Sequence, residues 1–132
     1  MWPFANPKPT PPGVIIRNRL GEEIDRVEGV WHLTNADLRG RQWLHADLSG
    51  ISLDGADLEG ANLFGARLVG TSFCRANLRN AELSFSNAVS ANFHSANLDG
   101  CLMYRAEIRS ACFDGALLSP QSDIPGVKVV GA

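Results

Sequence analysis

The sequence predicts an all-β protein in which residues 31–120 wind into a four-sided parallel β-helix. Three observations predict this fold. An apolar residue recurs every fifth position from Leu38 to Leu118, a small residue stands two positions before most of them, and Phe73, Phe93 and Phe113 at the apolar position are 20 residues apart. A period of five fits neither an α-helix nor a simple strand. The chain must therefore be built from short extended segments joined by regular corners.

Each pentad contains one inward pair, one outward residue and one corner. The small residue and the apolar, or central, residue are two positions apart, so on an extended segment their side chains point the same way. A polar residue, often Asp or Asn, lies between them and points outward. Two positions after the centre comes a residue that is often glycine, which permits the positive φ of a turn. A chain that turns the same way at every corner encloses a core of Leu, Phe and Ala.

Four pentads per coil are predicted by the spacing of the phenylalanines. A coil of 20 residues would stack Phe73, Phe93 and Phe113 on one wall, about 4.8 Å apart. The solenoid then has about four coils and a height of about 20 Å. Each wall is named here after its first central residue: the Leu38, Trp43, Leu48 and Leu53 walls.

The two ends of such a solenoid need covers, because they leave apolar faces and unpaired backbone. Residues 1–13 are rich in proline and indicate an extended arm. Residues 14–30 contain two strand-like runs around a turn at Gly21 and indicate a β-hairpin that caps the first coil. Residues 121–132 are expected to cap the other end, with Val127–Val130 as the closing segment.

The repeated motif Ala-(Asp/Asn)-Leu resembles that of the pentapeptide-repeat family. It stands in this sequence at Ala36–Leu38, Ala56–Leu58, Ala61–Leu63, Ala76–Leu78 and Ala96–Leu98. The resemblance implies a right-handed quadrilateral β-helix, which agrees with the usual hand of parallel crossovers. Departures occur at Arg41, Trp43, Ile51 and Ala88; the first two lie in the first coil, where atypical capping repeats are expected.

The resemblance also implies a range of functions. Most members of the family have no assigned activity, and a subset binds DNA gyrase by imitating the shape and charge of duplex DNA. DNA carries one charge about every 1.7 Å. Here the Leu38 wall holds four carboxylates against two arginines, and the Trp43 and Leu48 walls are neutral. Short length and near-neutral walls therefore disfavour the alternative of a DNA-mimicking binder of DNA gyrase or topoisomerase.

Composition further narrows the classes of partner that are expected. The formal net charge is -2, from 12 basic and 14 acidic residues, so no basic footprint for nucleic acid or membrane lipid is present. No apolar run is long enough for a membrane span. Three cysteines without a CxxC pair predict reduced thiols. A cytoplasmic location is expected, with no cofactor and no small-molecule substrate.

One outward column contains the residue types of a nucleophilic catalytic site. On the Leu53 wall, Asp54, Cys74, His94 and Asp114 fall one above another, an order that invites a nucleophile hypothesis. The column lies on a flat wall without an evident pocket or oxyanion donors. His32 and His45 have no metal-ligand spacing. The sequence therefore predicts no catalytic residue and no metal ligand, and Cys101 replaces alanine in the core.

A different column predicts an interaction surface. On the Trp43 wall, Leu44, Phe64, Ser84 and Tyr104 follow the successive centres, and Phe85 and Leu102 also point outward. Exposed apolar groups gathered on one face usually mark a contact surface. Either a protein partner, including a second copy, or the chain's own arm with Trp2 and Phe4 would cover them. The predicted function is a non-enzymatic protein-interaction or scaffold module, with Leu44, Phe64, Phe85, Leu102 and Tyr104 as its surface.

Overall fold

A computed structural model describes residues 8–124 of the chain. Parallel bridges join each outward polar residue to the residue 20 positions later, from Asp37↔Asp57 to Asn97↔Leu117. The coil therefore contains four pentads. The predicted fold class, an all-β, right-handed quadrilateral parallel β-helix with an N-terminal hairpin, is confirmed.

Backbone hydrogen bonds explain both the rungs and the corners. At a rung, Leu58 N donates to Asn77 O at 2.7 Å and Asn77 N donates to Ala56 O at 2.9 Å. At the next corner, Ala61 N donates to Leu58 O at 2.9 Å and closes a β-turn. The corner residue, Gly60, has φ +68°. The same turn recurs at every corner from Asn35 to Gly115.

The polar position of the pentad has a local role in these turns. Asp57 Oδ1 accepts a hydrogen bond from the backbone N–H of Glu59, and Asn77 Oδ1 accepts one from that of Arg79, both at 3.1 Å. Asp and Asn side chains favour such contacts two residues ahead. Asn77 also donates to Asp57 across the rung, at 3.0 Å. These contacts account for the preference for Asp and Asn at this position.

The core consists of the central and small residues, and the phenylalanine stack is confirmed. Phe73 and Phe93 are stacked with ring centroids 5.0 Å apart, and Phe93 and Phe113 are stacked at the same distance. Leu63 and Leu78 are completely buried. Ala88 is also fully buried in a central position, and Cys101 is buried at a small position. Continuous stacks of this kind make each coil depend on its two neighbours.

The hairpin forms the first cover. Strand β1 spans Val14–Arg17 and strand β2 spans Glu23–Val27, and they pair antiparallel with an irregularity between Ile16 and Arg17. The far end of β1 meets the solenoid where Asp47 N donates to Arg17 O at 2.8 Å. Ile16 and Val27 are buried against the core.

The last described coil contains one extra residue. Leu102 pairs with Asp123, an interval of 21 residues, whereas the earlier parallel rungs are 20 apart. A turn closed by Ser122 N and Ser119 O takes up this residue. Ile124 then enters the core with 5% of its surface exposed. The predicted closing segment Val127–Val130 and the aromatic residues of the arm, Trp2 and Phe4, lie outside the described residues.

Candidate interaction surface

Three aromatic rings are in contact along one edge of the Trp43 wall. The centroids of Phe64 and Phe85 are 5.3 Å apart, and those of Phe85 and Tyr104 are 5.8 Å apart. We call these three residues the aromatic ladder. Phe85 is 49% exposed and Tyr104 is 53% exposed, while Phe64 is half-buried. Rings of adjacent coils therefore support one another and still present area to solvent.

The middle ring does not come from the column that the sequence predicts. Ser84, which follows the centre Leu83, is buried at 6% exposure, and its hydroxyl accepts a hydrogen bond from Tyr104 N at 3.1 Å. Phe85 stands at the corner with φ +60° and places its ring between Phe64 and Tyr104. A small Ser84 leaves the outer surface of this rung to the larger neighbour.

Leu44 and Leu102 complete the five residues predicted for the surface. Leu44 precedes Phe64 in the same column and is 42% exposed, and Leu102 pairs with Glu82 on the same wall and is 40% exposed. We call the ladder together with these two leucines the apolar patch. The structure thus places all five residues on one wall.

Two residues that the sequence argument left out extend the ladder at its ends. The ring of His45 meets that of Phe64 edge-on with centroids 6.1 Å apart, and the guanidinium of Arg105 lies 5.8 Å from the centre of the Tyr104 ring. Both are corner residues 20 positions from Gly65 and Phe85, respectively. Reading the corner column by its period of 20 would have found them.

A cleft of about 390 Å³ opens at the foot of the ladder, lined by Asn18, Arg19, Leu20 and His45. Leu20, in the hairpin turn, is 82% exposed. Because His45 both lines the cleft and touches Phe64, the cleft and the ladder form one continuous surface. The hairpin turn, which the sequence assigns only to a cap, thus also shapes the candidate site.

The Leu38 wall has the opposite character. The guanidinium of Arg39 lies 2.8 Å from Asp37 and 3.8 Å from Asp57, and that of Arg79 lies 3.9 Å from Glu59 and 3.5 Å from Asp99. Hydrogen bonds from Arg39 lower the pKa of Asp37 to about 2. The two arginines thus pair with all four carboxylates of this wall and reduce its net charge to -2.

In the outward column of the Leu53 wall, Asp54 and Cys74 form hydrogen bonds with groups of the same wall. Asp54 Oδ1 accepts hydrogen bonds from the Ser72 hydroxyl and from Cys74 N, and the Ser72 hydroxyl lies 3.5 Å from Cys74 Sγ. His94 is exposed, and its backbone N–H donates to Asn92. Among residues 8–124, no hydrogen bond joins Cys74 to His94. The pair that a nucleophile hypothesis requires is therefore not assembled in this geometry.

The remaining reactive groups lie apart. Burial raises the pKa of the Cys101 thiol, and the nearby Glu82 carboxylate raises it further, so this thiol stays protonated at neutral pH. No group of three or more His, Cys, Asp or Glu side chains between Lys8 and Ile124 is arranged to hold a metal ion. In the same range no helix has the length and apolarity needed to cross a bilayer.

Solved structures resemble this chain. HetL, a pentapeptide-repeat protein involved in heterocyst differentiation regulation in the cyanobacterium Nostoc sp. strain PCC 7120, is 31% identical with a TM-score of 0.67; the match covers 71% of this chain and 45% of HetL. Rfr23 of Cyanothece 51142 is 27% identical over 67% of this chain and 54% of its own, with a TM-score of 0.38. QnrB1, a plasmid-mediated fluoroquinolone resistance protein, is 18% identical over 68% of this chain and 66% of its own, with a TM-score of 0.23.

The likeness to HetL extends to the three-dimensional arrangement, and this chain spans less than half of HetL's length. No curated protein matches the chain significantly. The family model for pentapeptide repeats matches residues 32–68, 56–94 and 81–119, with eight copies. These matches together cover residues 32–119. The chain belongs to the pentapeptide-repeat family.

Proposed function

We propose that this chain is a non-enzymatic, cytoplasmic protein-interaction module whose docking surface is the apolar patch. The observation that carries the proposal is the aromatic ladder. Phe64, Phe85 and Tyr104 form a row of touching rings on the outside of a rigid solenoid. Exposed aromatic side chains offer large contact areas at a small entropic cost, and a few such residues can dominate an interface.

The contrast between the walls supports this choice of surface. The Leu38 wall is covered by charged side chains that pair with one another, as is usual for a face in contact with water. The charged residues described on the Trp43 wall are few: Arg41, which pairs with Asp25 of the hairpin, Glu82, Arg105, which lies over the Tyr104 ring, and Asp123. A partner that covers the patch would therefore bury mainly apolar and aromatic area.

The ion pairs count against the alternative of a DNA-mimicking binder of DNA gyrase or topoisomerase. Imitation of DNA needs a long, dense array of negative charge. The carboxylates of the Leu38 wall instead share their charge with Arg39 and Arg79. The regulatory role of HetL is consistent with a binding function and does not identify a partner for this chain.

The test is a double variant, Phe85→Asp with Tyr104→Asp, compared with the parent chain. We expect self-association in sedimentation, or capture of protein partners from the source organism, to fall at least 10-fold. Leu117→Asp is the matched control, because Leu117 is 62% exposed but lies on the Leu38 wall. Cys74→Ser with His94→Ala should also leave association intact. An equal response of the parent and the double variant in both measurements, also when both lack residues 1–12, would refute the proposal.

A further inference from the structure

We infer that the proline-rich arm, residues 1–12, is the segment that binds along the aromatic ladder of its own molecule. This inference rests on the proposed function, because it names an occupant for the same surface. Five of the seven prolines in the chain stand in the arm, at positions 3, 7, 9, 11 and 12. Segments of this composition favour an extended polyproline II helix, whose known docking sites are grooves lined by aromatic rings.

The spacing of the ladder suits such a helix. Polyproline II repeats every three residues and rises about 3.1 Å per residue, so side chains three apart lie about 9.3 Å apart on one face. Phe4 and Pro7 have this spacing. Phe64 and Tyr104 are two coils apart, which corresponds to about 9.6 Å. One turn of the arm therefore matches two rungs of the ladder.

The attachment point of the arm allows it to reach the ladder. Gly13 is held at the start of the hairpin, where its N–H donates to Val30 O at 3.1 Å. From there β1 runs four residues, about 13 Å, to Arg17 beside Asp47 and the foot of the ladder. From His45 at the foot of the ladder to Tyr104 at its top the wall rises three rungs, about 14 Å. A polyproline II arm of 12 residues spans about 37 Å, more than this path of about 27 Å.

The surface along this path has the right chemistry. The cleft lined by Asn18, Arg19, Leu20 and His45 lies between β1 and the ladder, so it leads the arm from one to the other. The arm has a single charged side chain, Lys8, and the ladder wall is neutral overall. Trp2 and Phe4 then supply aromatic partners for the exposed rings of Phe85 and Tyr104. The arm is therefore an apolar, nearly uncharged segment that matches the apolar surface of this wall.

The test uses the full chain and a synthetic peptide of residues 1–12 labelled at its carboxyl end with fluorescein. An arm variant carrying Trp2→Ser, Pro3→Ser and Phe4→Ser should bind the peptide, measured by fluorescence anisotropy. The parent chain should bind it at least 10-fold more weakly, because its own tethered arm competes at high effective concentration. Adding Phe85→Asp to the arm variant should weaken peptide binding at least 10-fold, and adding Leu117→Asp should not.

Absence of peptide binding by the arm variant, or binding that Phe85→Asp does not change, would overturn the inference. So would a parent chain that sediments as a dimer and an arm variant that sediments as a monomer, because the arm would then cross to a second copy. The proposed function is tested separately, by whether Phe85→Asp weakens the association of the arm variant with a partner or a second copy. If that association persists while the peptide fails to bind, only the role of the arm is refuted.

Discussion

Asp25 of the hairpin accepts a hydrogen bond at 2.7 Å from the ring nitrogen of Trp43, the largest fully buried side chain of the core. The same carboxylate oxygen accepts a hydrogen bond from Arg41 at 3.0 Å. Arg41 and Trp43 are two of the positions at which the first coil departs from the repeat. Their departure therefore has a structural reason: one carboxylate from β2 binds both and fastens the cap to the solenoid.

Replacing Asp25 with alanine should lower the free energy of unfolding by about 2–3 kcal/mol, because it removes two hydrogen bonds to a charged group and leaves the indole N–H without its partner. Chemical denaturation measures the change. Trp43→Phe is the control, since it removes the indole donor and keeps an aromatic ring. If Asp25→Ala unfolds at the same denaturant concentration as the parent, Asp25 does not stabilise the contact between the hairpin and the solenoid.

The same carboxylate predicts a pH dependence. Burial raises the pKa of Asp25, but hydrogen bonds from Trp43, from Arg26 N–H and from Arg41 lower it by more, so the net shift is downward. A lowered folded-state pKa means that ionised Asp25 contributes stability above the unfolded value of about 3.9, and that this stability is lost as the pH falls through the folded value. The difference in unfolding free energy between the parent and Asp25→Ala should thus be full at pH 7, and it should shrink only as the pH falls well below 4.

Truncation of a central leucine tests the core. Leu78→Ala should cost about 2–5 kcal/mol, as is usual for buried leucines, because it leaves a cavity between stacked coils. Leu63→Ala should behave in the same way. Leu117→Ala, an exposed leucine, should change stability by less than about 0.5 kcal/mol. Equal denaturation midpoints for Leu78→Ala and Leu117→Ala would contradict the inward assignment.

Two corner glycines have the same backbone conformation but different surroundings, so their alanine variants can be compared directly. Gly60 and Gly65 both have φ +68°, but a Cβ at Gly60 meets open space, whereas a Cβ at Gly65 falls 2.4 Å from His45 Nδ1. Gly60→Ala should cost about 1–2 kcal/mol from the left-handed backbone alone. Gly65→Ala should cost more, and His45→Ala should remove the excess. If the two glycine variants are equally stable, His45 does not pack over Gly65 as described.

Two inward hydroxyls should respond in opposite directions. Thr71 Oγ1 donates to Leu48 O at 2.7 Å, whereas the buried Ser86 hydroxyl has no hydrogen-bond partner among residues 8–124. Ser86→Ala should stabilise the protein by about 1 kcal/mol, because it removes an unsatisfied polar group. Thr71→Val should destabilise it by about 1 kcal/mol. Thermal unfolding of both variants measures these changes. A loss of stability in Ser86→Ala would show that the Ser86 hydroxyl does form a hydrogen bond.

The sequence alone determined the period of five, the inward positions and the coil of four pentads. These follow from local rules, because side chains two apart on an extended segment share a side and the corner residue must accept positive φ. The stacking of Phe73, Phe93 and Phe113 could be predicted for the same reason. So could the five residues of the apolar patch as members of one wall, although their use as an interface stays a prediction.

Only the tertiary structure decided which side chains meet across coils. Phe85 takes the middle place of the aromatic ladder because Ser84 is buried, and His45 and Arg105 extend it from corner positions. Asp25 reaches Arg41 and Trp43 from a hairpin that local patterns place only approximately. The extra residue before Asp123 shifts the last described rung. Each of these contacts joins residues distant in sequence and depends on side-chain size and packing, which a repeating pattern of residue types does not specify.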